Sequence, residues 1–415
     1  MKYDLTNIKS ILKKLGNPEN SFASIQIAGT NGKGATASFI ASILMEHGLK
    51  VGLFTSPHIV RFNERIRING KYISNNYIKE FLEKNKAIIK RIKPTFFEVN
   101  TAMAFKYFAD NEVDIAIVEC GLGGRLDSTN VLKPKLSVIT QIGMDHIQYL
   151  GNTLHKIALE KIGIVKPATD VVVSDNNKTL RLLFKKKIKP EHLIHIDDTV
   201  NIKYLKCSLQ RTRFILKTDN FKKEKYNIPL PGKFQARNAA AAITSCRKYL
   251  QQIGIKSDEN KITRGLINVI ANTGYRCRLE TVKLSNKEFI FDISHNPEGI
   301  KETTNSLKTI KIHALIFGMM EDKNLDLAIK EIMKISNNII LTKANYKRTA
   351  DPVTLCSIAM KYHSKNHCII VKENVKDALK LIINENGNIK RILITGSFFI
   401  VSDAIKALKI KNLFD

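Results

Sequence analysis

The sequence predicts an α/β protein: a doubly wound, mostly parallel sheet that carries a phosphate loop, followed by a second, smaller Rossmann-like α/β domain. Short apolar runs alternate with helix-periodic stretches along the chain, which is the pattern of strands joined by crossover helices. A glycine-rich segment directly after the first apolar run is typical of a loop that binds phosphate. We expect an N-terminal domain at residues 1–280 and a C-terminal domain at residues 281–415.

The N-terminal part contains the predicted elements of the larger sheet. Strands are predicted at 25–28, 50–54, 113–118 and 136–140, with helices near 33–47, 75–91 and 153–164. The topology of 166–226 stays open because its hydrophobic periodicity is weak. Four positions lie at or just beyond strand ends, where ligands of open parallel sheets bind: Gly29, Thr55, Glu119 and Gly143.

The C-terminal part repeats the same alternation on a smaller scale. Strands are predicted at 289–292, 314–317, 338–341, 368–371 and 391–395. Helices are predicted near 298–307, 325–335, 353–362, 375–383 and 400–407. This order indicates a second sheet with its own covering helices.

Residues 25–36 have the order strand, phosphate loop, helix. Glycines let backbone N–H groups surround phosphate oxygens, the helix N-terminus favours negative charge, and Lys33 supplies a point charge. The fit to G-x-x-x-x-G-K-[ST] is imperfect, because Ile27 takes the place of the first glycine and Gly34 follows the lysine. A tight turn without a ligand is the alternative. The expected phosphate contacts are Gly29, Thr30, Asn31, Gly32, Lys33, Gly34, Ala35 and Thr36.

Charge is the one unusual feature of the composition. The 415 residues include 67 Lys and Arg against 38 acidic residues, a formal net charge of +29. These cations are spread along the chain, and the densest run, 185–189, has no interleaved aromatic residues. We therefore expect attraction of anionic small molecules rather than nucleic acid. Scattered cysteines and a polar N-terminus without an apolar segment indicate a reducing, cytoplasmic location without a membrane partner.

Further motifs follow the phosphate loop in a fixed order. They lie at 54–70, 119–130, 144–146, 160–164, 230–240, 278–280 and 292–297. With residues 25–36, this set resembles the folylpolyglutamate synthase and dihydrofolate synthase family of the Mur ligase superfamily. The resemblance runs from near the N-terminus to about residue 300, and the similarity is weaker beyond that point.

The resemblance implies a magnesium site at Ser56, Glu119 and His146. Magnesium prefers oxygen ligands and usually shares phosphate oxygens of a nucleotide. An imidazole is an unusual ligand for this hard cation, and it is included here because the family implies it. Taken one at a time, the three residues also have structural interpretations. Ser56 is then a turn residue before a proline, Glu119 a strand-end carboxylate and His146 a packed core histidine.

The resemblance also implies further contacts to ATP and to the reacting groups. Asn238, Arg278 and Asp292 match nucleotide contacts, and His295 lies beside the last of these in sequence. Lys33, Lys161, Arg278 and His295 form the expected catalytic set.

Two of the family's positions need separate mention. Lys161 stands where the family carries a lysine carbamylated by carbon dioxide, although a solvated lysine on a helix face is the alternative. Ala35 departs from the usual serine, and Thr36 is a doubtful replacement because consecutive helical side chains diverge by about 100°.

The family's pterin-flanking stretches correspond to Phe96, Phe97, Arg125 and Asp127. A flat heteroaromatic ring needs apolar faces with a few placed polar groups, although a phenylalanine pair often belongs to a plain core. The form Gly-Gly-Arg-Leu-Asp at 123–127 is typical of members that also accept dihydropteroate. The resemblance therefore favours a bifunctional enzyme.

The implied reaction is ATP- and magnesium-dependent addition of L-glutamate to dihydropteroate or reduced folates through an acyl phosphate. The expected partners are these small molecules alone, and the chain is expected to be a monomer. One alternative keeps the chemistry but makes peptidoglycan precursors. The other, a nucleic-acid-stimulated ATPase, is suggested only by the charge.

Overall fold

A computed structural model describes residues 4–218, 223–385 and 389–410. The described residues form two compact units. The first unit runs to Leu205 and also includes Arg213–Pro229 and Gln235–Tyr275. The second unit comprises Lys206–Thr212, Leu230–Phe234 and the described residues from Arg276 onward.

The first unit is built on an eight-stranded sheet with the order β4-β3-β2-β5-β1-β6-β7-β8. Its strands are β1 (Ala23–Ala28), β2 (Val51–Phe54), β3 (Ile66–Ile68), β4 (Lys71–Tyr72), β5 (Ile115–Glu119), β6 (Leu136–Ile139), β7 (Asp170–Val173) and β8 (Leu193–His195). The run from β2 to β8 pairs in parallel, whereas β3 and β4 add an antiparallel edge. The carboxyl ends of β2, β5, β1 and β6 therefore lie side by side.

Helices cover this sheet. They are α1 (Thr6–Lys14), α2 (Lys33–Glu46), α3 (Asn75–Lys84), α4 (Lys86–Ile92), α5 (Phe96–Asp110), α6 (Ile147–Leu150), α7 (Leu154–Ile162), α8 (Lys178–Lys187), α9 (Ile196–Thr199), α10 (Lys233–Gln252), α11 (Glu259–Ile267) and α12 (Val269–Thr273). Every residue of α2 from Ala35 to Leu44 is buried. A helix that is apolar on all sides is a core helix, so the element that starts at the phosphate loop is held firmly in place.

A three-stranded sheet occupies much of the stretch that the sequence left open. Its strands are β9 (Val200–Cys207), β10 (Thr212–Thr218) and β11 (Lys223–Ile228), in the order β11-β10-β9. Strand β9 is mostly exposed, so the apolar residues on it do not form a buried face.

The second unit has a six-stranded sheet with the order β12-β13-β17-β14-β15-β16. Its strands are β12 (Arg278–Leu284), β13 (Lys287–Asp292), β14 (Ala314–Phe317), β15 (Asn338–Leu341), β16 (Cys368–Val371) and β17 (Arg391–Thr395). Its helices are α13 (Pro297–Leu307), α14 (Leu325–Ile332), α15 (Pro352–Met360), α16 (Val375–Asn384) and α17 (Phe398–Ala407). Strand β12 is antiparallel to β13, and the other pairs are parallel.

The fold class predicted from the sequence is confirmed, and the differences are local. The single helix expected at 75–91 is wrong, because the chain forms α3 and α4 with a break at Asn85. The Asn85 side chain donates to the carbonyl of Phe81 at 2.8 Å, a local bond that competes with helix continuation. Helices α1, α5, α6, α10, α11 and α12, the short strands β3 and β4, and strand β12 were not predicted. Within the described residues, no helix is long and apolar enough to span a membrane.

Gly52 provides a test of packing close to the candidate site. A Cβ atom at Gly52 would lie 2.8 Å from Cδ1 of Phe108, a residue with no solvent exposure. We predict that Gly52→Ala lowers the free energy of unfolding by about 1–3 kcal/mol through overpacking, as measured by urea denaturation. Combining it with Phe108→Leu should cost less than the sum of the two single changes. A loss below about 0.5 kcal/mol for Gly52→Ala would contradict this packing.

Candidate active site

The phosphate loop is fixed to the end of β6. The backbone N–H groups of Thr30 and Asn31 donate to the carbonyl of Gln141, at 2.7 and 3.2 Å. The Thr30 hydroxyl donates to the carbonyl of Gly143 at 3.1 Å and lies 3.0 Å from the N–H of Gly143. These bonds join the loop after β1 to the loop after β6, which are neighbours because their strands are paired.

Two glycines allow this loop to approach its surroundings. A Cβ atom on Gly29 would lie 1.8 Å from Oγ1 of Thr140, and one on Gly32 would lie 2.4 Å from Oδ1 of Asn238. Gly32 also has a φ angle of +88°, a conformation that glycine adopts without steric cost. The loop therefore needs glycine at both positions, and Asn238 lies against it.

Lys33 is the first residue of α2, and Gly32 is its N-cap. No side chain caps this helix, so its N-terminal amide groups are not taken by a capping oxygen. The ammonium group of Lys33 donates to the carbonyl of Thr30 at 3.2 Å and lies 4.0 Å from a carboxylate oxygen of Glu119. A helix N-terminus beside a lysine fits an anionic phosphate chain.

Lys161 on α7 contacts the same loop. Lys161 is 3% exposed, and its ammonium group donates to the carbonyl of Gly29 at 2.8 Å. Burial, reinforced by the charge of Lys33, lowers the pKa of Lys161 to about 7. The alternative of a solvated lysine on a helix face is wrong. A lysine with this pKa is partly neutral at physiological pH and can act as a nucleophile.

Two of the three expected metal positions meet directly. Glu119 ends β5 and Ser56 follows β2, and the N–H of Ser56 donates to Oε2 of Glu119 at 3.0 Å. Their hydroxyl and carboxylate oxygens suit magnesium. Across the described ranges, no group of three or more His, Cys, Asp and Glu side chains gathers as a metal site.

His146 is the third expected metal position. It has a φ angle of +51° at the start of α6, and its imidazole is 39% exposed. Nε2 lies 3.9 Å from Oδ2 of the neighbouring Asp145, which is buried. The alternative of a packed core histidine is therefore wrong.

Ala35 and Thr36 lie in the first turn of α2. Ala35 is 2% exposed, and the hydroxyl of Thr36 is buried without a hydrogen-bond partner among the described residues. The backbone N–H of Thr36 donates to the carbonyl of Gly32 at 2.9 Å, as in a regular helix. Because the amides of Thr30, Asn31 and Thr36 are bonded within the protein, the candidate phosphate donors are the amides at the start of α2 before Thr36 and the ammonium group of Lys33. Position 35 adds no hydroxyl.

The two expected phenylalanines have different environments. Phe97 is partly buried and packs against the core, with its ring 5.8 Å from that of Phe54 and against Gly121, where a Cβ atom would lie 2.4 Å from Cζ of Phe97. Phe96 is 61% exposed. Phe96 therefore offers the more open ring, and the described contacts of Phe97 are packing contacts.

Arg125 and Asp127 organise the loop after β5. The Arg125 guanidinium pairs with Glu160 at 2.9 Å, and its backbone N–H donates to the Glu160 carbonyl at 2.7 Å. Asp127 is buried, and its carboxylate accepts from the N–H groups of Leu122 and Thr129, at 2.8 and 3.0 Å. Both residues have structural roles, and a contact with pterin remains a prediction.

Sequence reasoning missed a cluster formed by His58, Phe62 and Arg65 beside Phe96. Arg65 donates through Nε to Nδ1 of His58 at 2.8 Å, and its Cζ lies 5.4 Å from the Phe96 ring centroid. The ring of Phe62 lies 6.0 Å from that of Phe96 and 6.2 Å from that of His58. The sequence did contain a signal for this cluster, because His58, Phe62 and Arg65 all lie in the motif at 54–70.

The remaining predicted residues lie in the second unit, where Arg278 begins β12 opposite Asp292 on β13. Asp292 is buried and accepts from the N–H groups of Ser294 and Leu279, at 3.1 and 3.2 Å. His295 directs Nδ1 toward the carbonyl of Ile293 at 3.1 Å, so Nδ1 is the nitrogen that donates. Nucleotide contacts by these residues remain predictions.

Two protein-family models match successive parts of this chain. Residues 27–246 match the Mur ligase middle domain, and residues 277–398 match the Mur ligase, glutamate ligase domain. The first match contains the phosphate loop, Lys161 and Asn238. The second contains Arg278, Asp292 and His295.

Individual relatives match over nearly the full length. The dihydrofolate synthase/folylpolyglutamate synthase of Bacillus subtilis is 33% identical, covering 99% of this chain and 96% of its own. The folylpolyglutamate synthase structure from Thermotoga maritima has a TM-score of 0.82 and 32% identity, covering 100% of this chain and 95% of the other. A structure of E. coli FolC in complex with DHPP and ADP has a TM-score of 0.85 and 25% identity, with coverages of 99% and 94%.

These matches agree with the site geometry, in which a glycine loop, a helix N-terminus and two lysines meet at the carboxyl edge of a parallel sheet. The chain belongs to the dihydrofolate synthase/folylpolyglutamate synthase family of Mur ligases.

Proposed function

We propose that this protein is an ATP-dependent ligase that adds L-glutamate to dihydropteroate and to reduced folates. The observation that carries the proposal is the meeting of Lys33, Lys161 and Glu119 around the loop between β1 and α2. The names of the full-length relatives from Bacillus subtilis and Thermotoga maritima support the same activity.

The reaction joins a carboxylate to an amine at the expense of ATP. The acid's carboxylate oxygen forms a bond to the γ-phosphorus, and ADP leaves. The glutamate amine then attacks the acyl carbon, and inorganic phosphate and a proton are released. Such chemistry needs positioned positive charge rather than a protein nucleophile, and Lys33 provides it beside the uncapped amides of α2.

Magnesium belongs to the proposal through the residues that would hold it. Ser56 and Glu119 are adjacent through the Ser56 N–H, their hydroxyl and carboxylate oxygens are of the type that a hard cation binds, and the exposed His146 would complete the set. When bound, the ion would neutralise charge on the phosphate chain. Arg278, Asp292 and His295 are proposed to contact the nucleotide or the reacting groups.

Lys161 is proposed to be carbamylated. Its low pKa supplies the neutral amine that attacks carbon dioxide, forming an N–C bond and releasing a proton. The product replaces a buried positive charge beside Lys33 with a negative one. That exchange would relieve the repulsion between Lys33 and Lys161 and offer oxygens near the phosphate loop.

Bifunctionality is the part of the proposal that concerns substrate range. It is supported by the resemblance of the loop at 123–127 and by the shared name of the Bacillus subtilis relative. We also propose that the protein works as a cytoplasmic monomer without nucleic acid. Phe96 and the loop organised by Asp127 are the proposed pterin neighbours, with Phe97 and Arg125 supporting them.

The proposal is tested by product analysis. With ATP, magnesium and L-glutamate, purified protein should convert dihydropteroate and tetrahydrofolate, offered separately, into products one glutamate heavier by mass spectrometry. Phosphate release should depend on the acid substrate and should not respond to DNA or RNA. Absence of both products from folded protein, or activity only with a peptidoglycan precursor, would refute the assignment.

Replacement of Lys33 tests the phosphate loop. Lys33→Ala removes a charge-assisted contact worth about 2–4 kcal/mol in the transition state, so the rate should fall roughly 30-fold to 1000-fold. Lys86→Ala, on the exposed start of α4, is the matched control and should retain full activity. A Lys33→Ala rate within about threefold of wild type would mean that Lys33 only starts the helix.

Replacement of Lys161 tests the carbamate. With ¹³C-labelled bicarbonate, the wild type should show a carbamate carbon signal by NMR that is absent from Lys161→Ala. The signal should grow as pH rises above about 7, because the neutral amine is the reactive form. Lys161→Ala should lose ligase activity, and a short carboxylic acid should restore part of it. An unlabelled wild type, or an active variant, would contradict the role.

A further inference from the structure

Arg65 occupies a position near Glu119 that the mechanism above does not use. It ends the short 3₁₀ helix Phe62–Arg65 that leads into β3. Its carbonyl accepts from the N–H of Thr55 at 3.0 Å. Phe54 of β2 is paired with Val118 of β5, so the next residues, Thr55 and Glu119, are at the same level of the sheet. Arg65, which is bonded to Thr55, therefore lies at the same carboxyl edge as Glu119.

The guanidinium of Arg65 is held in one orientation by two contacts. Nε donates to Nδ1 of His58 at 2.8 Å, and Cζ lies over the Phe96 ring at 5.4 Å from its centroid. The residue as a whole is only 8% exposed. An arginine fixed at Nε and stacked on an aromatic ring presents its two terminal amino groups as a planar fork.

The positive charge of this fork has no partner within the described part of the chain. Arg65 makes no ion pair there, and the hydrogen bonding of its guanidinium group is limited to Nε. The carboxylate of the adjacent Glu64 is taken by the N–H groups of Ile59, Val60 and Arg61. Burial lowers the pKa of Arg65 to about 10, only partly opposed by Glu119 and Glu64.

The surroundings of the fork indicate what kind of anion it would bind. Phe96 is 61% exposed and packs edge-on against Phe62. An open ring face next to a positively charged fork suits a ligand that joins an aromatic ring to a carboxylate. A free phosphate would use the fork but would leave the Phe96 face uncovered.

We propose that Arg65 is the receptor for the carboxylate of the acid substrate, with Phe96 beside the aromatic part of the same molecule. The proposal rests on the ligase function and adds a specificity residue to it. The benzoate-type carboxylate of dihydropteroate is received directly by the fork. In reduced folates, the fork receives a carboxylate of the terminal glutamate. His58 and Phe62 position the fork rather than touching the carboxylate.

The test varies the protein and the ligand together. Dissociation constants are measured by calorimetry for dihydropteroate and for the same pterin–aniline compound without its carboxylate. In the wild type, the acid should bind roughly tenfold to 100-fold more tightly than the carboxylate-free compound. In Arg65→Gln, this preference should fall below about twofold, while the Michaelis constant for ATP stays within about twofold of wild type.

Controls separate a carboxylate receptor from a packing residue. Arg91→Gln removes one exposed positive charge elsewhere in the same unit and should leave both dissociation constants unchanged. Arg65→Lys keeps the charge without the fork, so its preference for the acid over the carboxylate-free compound should be intermediate. This variant also provides the test if Arg65→Gln does not fold. Equal weakening of both ligands, or no weakening of either, would overturn the proposal. A wild type that makes no glutamylated product would instead remove the ligase function on which the proposal rests.

Discussion

The hydrogen-bonded attachment of the phosphate loop to the end of β6 is the constraint on which the rest of the site depends. Gln141 offers one carbonyl to two consecutive loop amides, and Thr30 bonds to Gly143 beside it. These contacts fix where α2 begins, and α2 is buried on all sides, so the helix cannot shift to adapt. Lys161 then bonds to the carbonyl of Gly29 from the opposite direction. A side chain at Gly29 would collide with Thr140 and disturb all of these positions together.

Buried positive charge is the second feature that shapes the site. Glu119 lies near Lys33 and Arg65, whereas Lys161 lies near Lys33 and the carboxylates of Asp145 and Asp127. Removing ammonium and guanidinium groups from water is costly unless an anion replaces the lost solvation. The lowered pKa values of Lys161 and Arg65 express that cost. A site in this state gains most from ligands that carry phosphate and carboxylate groups, which are the groups that an acid-activating ligase brings together.

Sequence reasoning performed best where one signal determined the structure. The strands near 314–317, 338–341 and 391–395 are short buried apolar runs, and each lies where it was expected. Glu119 also lies beside the loop as its strand end implied. The failures have a different origin. The arrangement of His58 and Arg65 around Phe96 depends on ring contacts that no spacing encodes. Strands β3 and β4 have three and two residues, too few to show periodicity.

The first turn of α2 shows how a departure from a family motif can be tolerated. Position 35 lacks a hydroxyl, and the hydroxyl of Thr36 is buried within the fold rather than exposed on the loop. What remains is a helix start without a side-chain cap, two close-packed glycines and Lys33. Backbone amides in such a loop are oriented by the chain itself, so their geometry does not depend on the side chain at position 35. The proposed phosphate binding would therefore depend chiefly on main-chain geometry, and the loss of one hydroxyl would affect its strength more than its location.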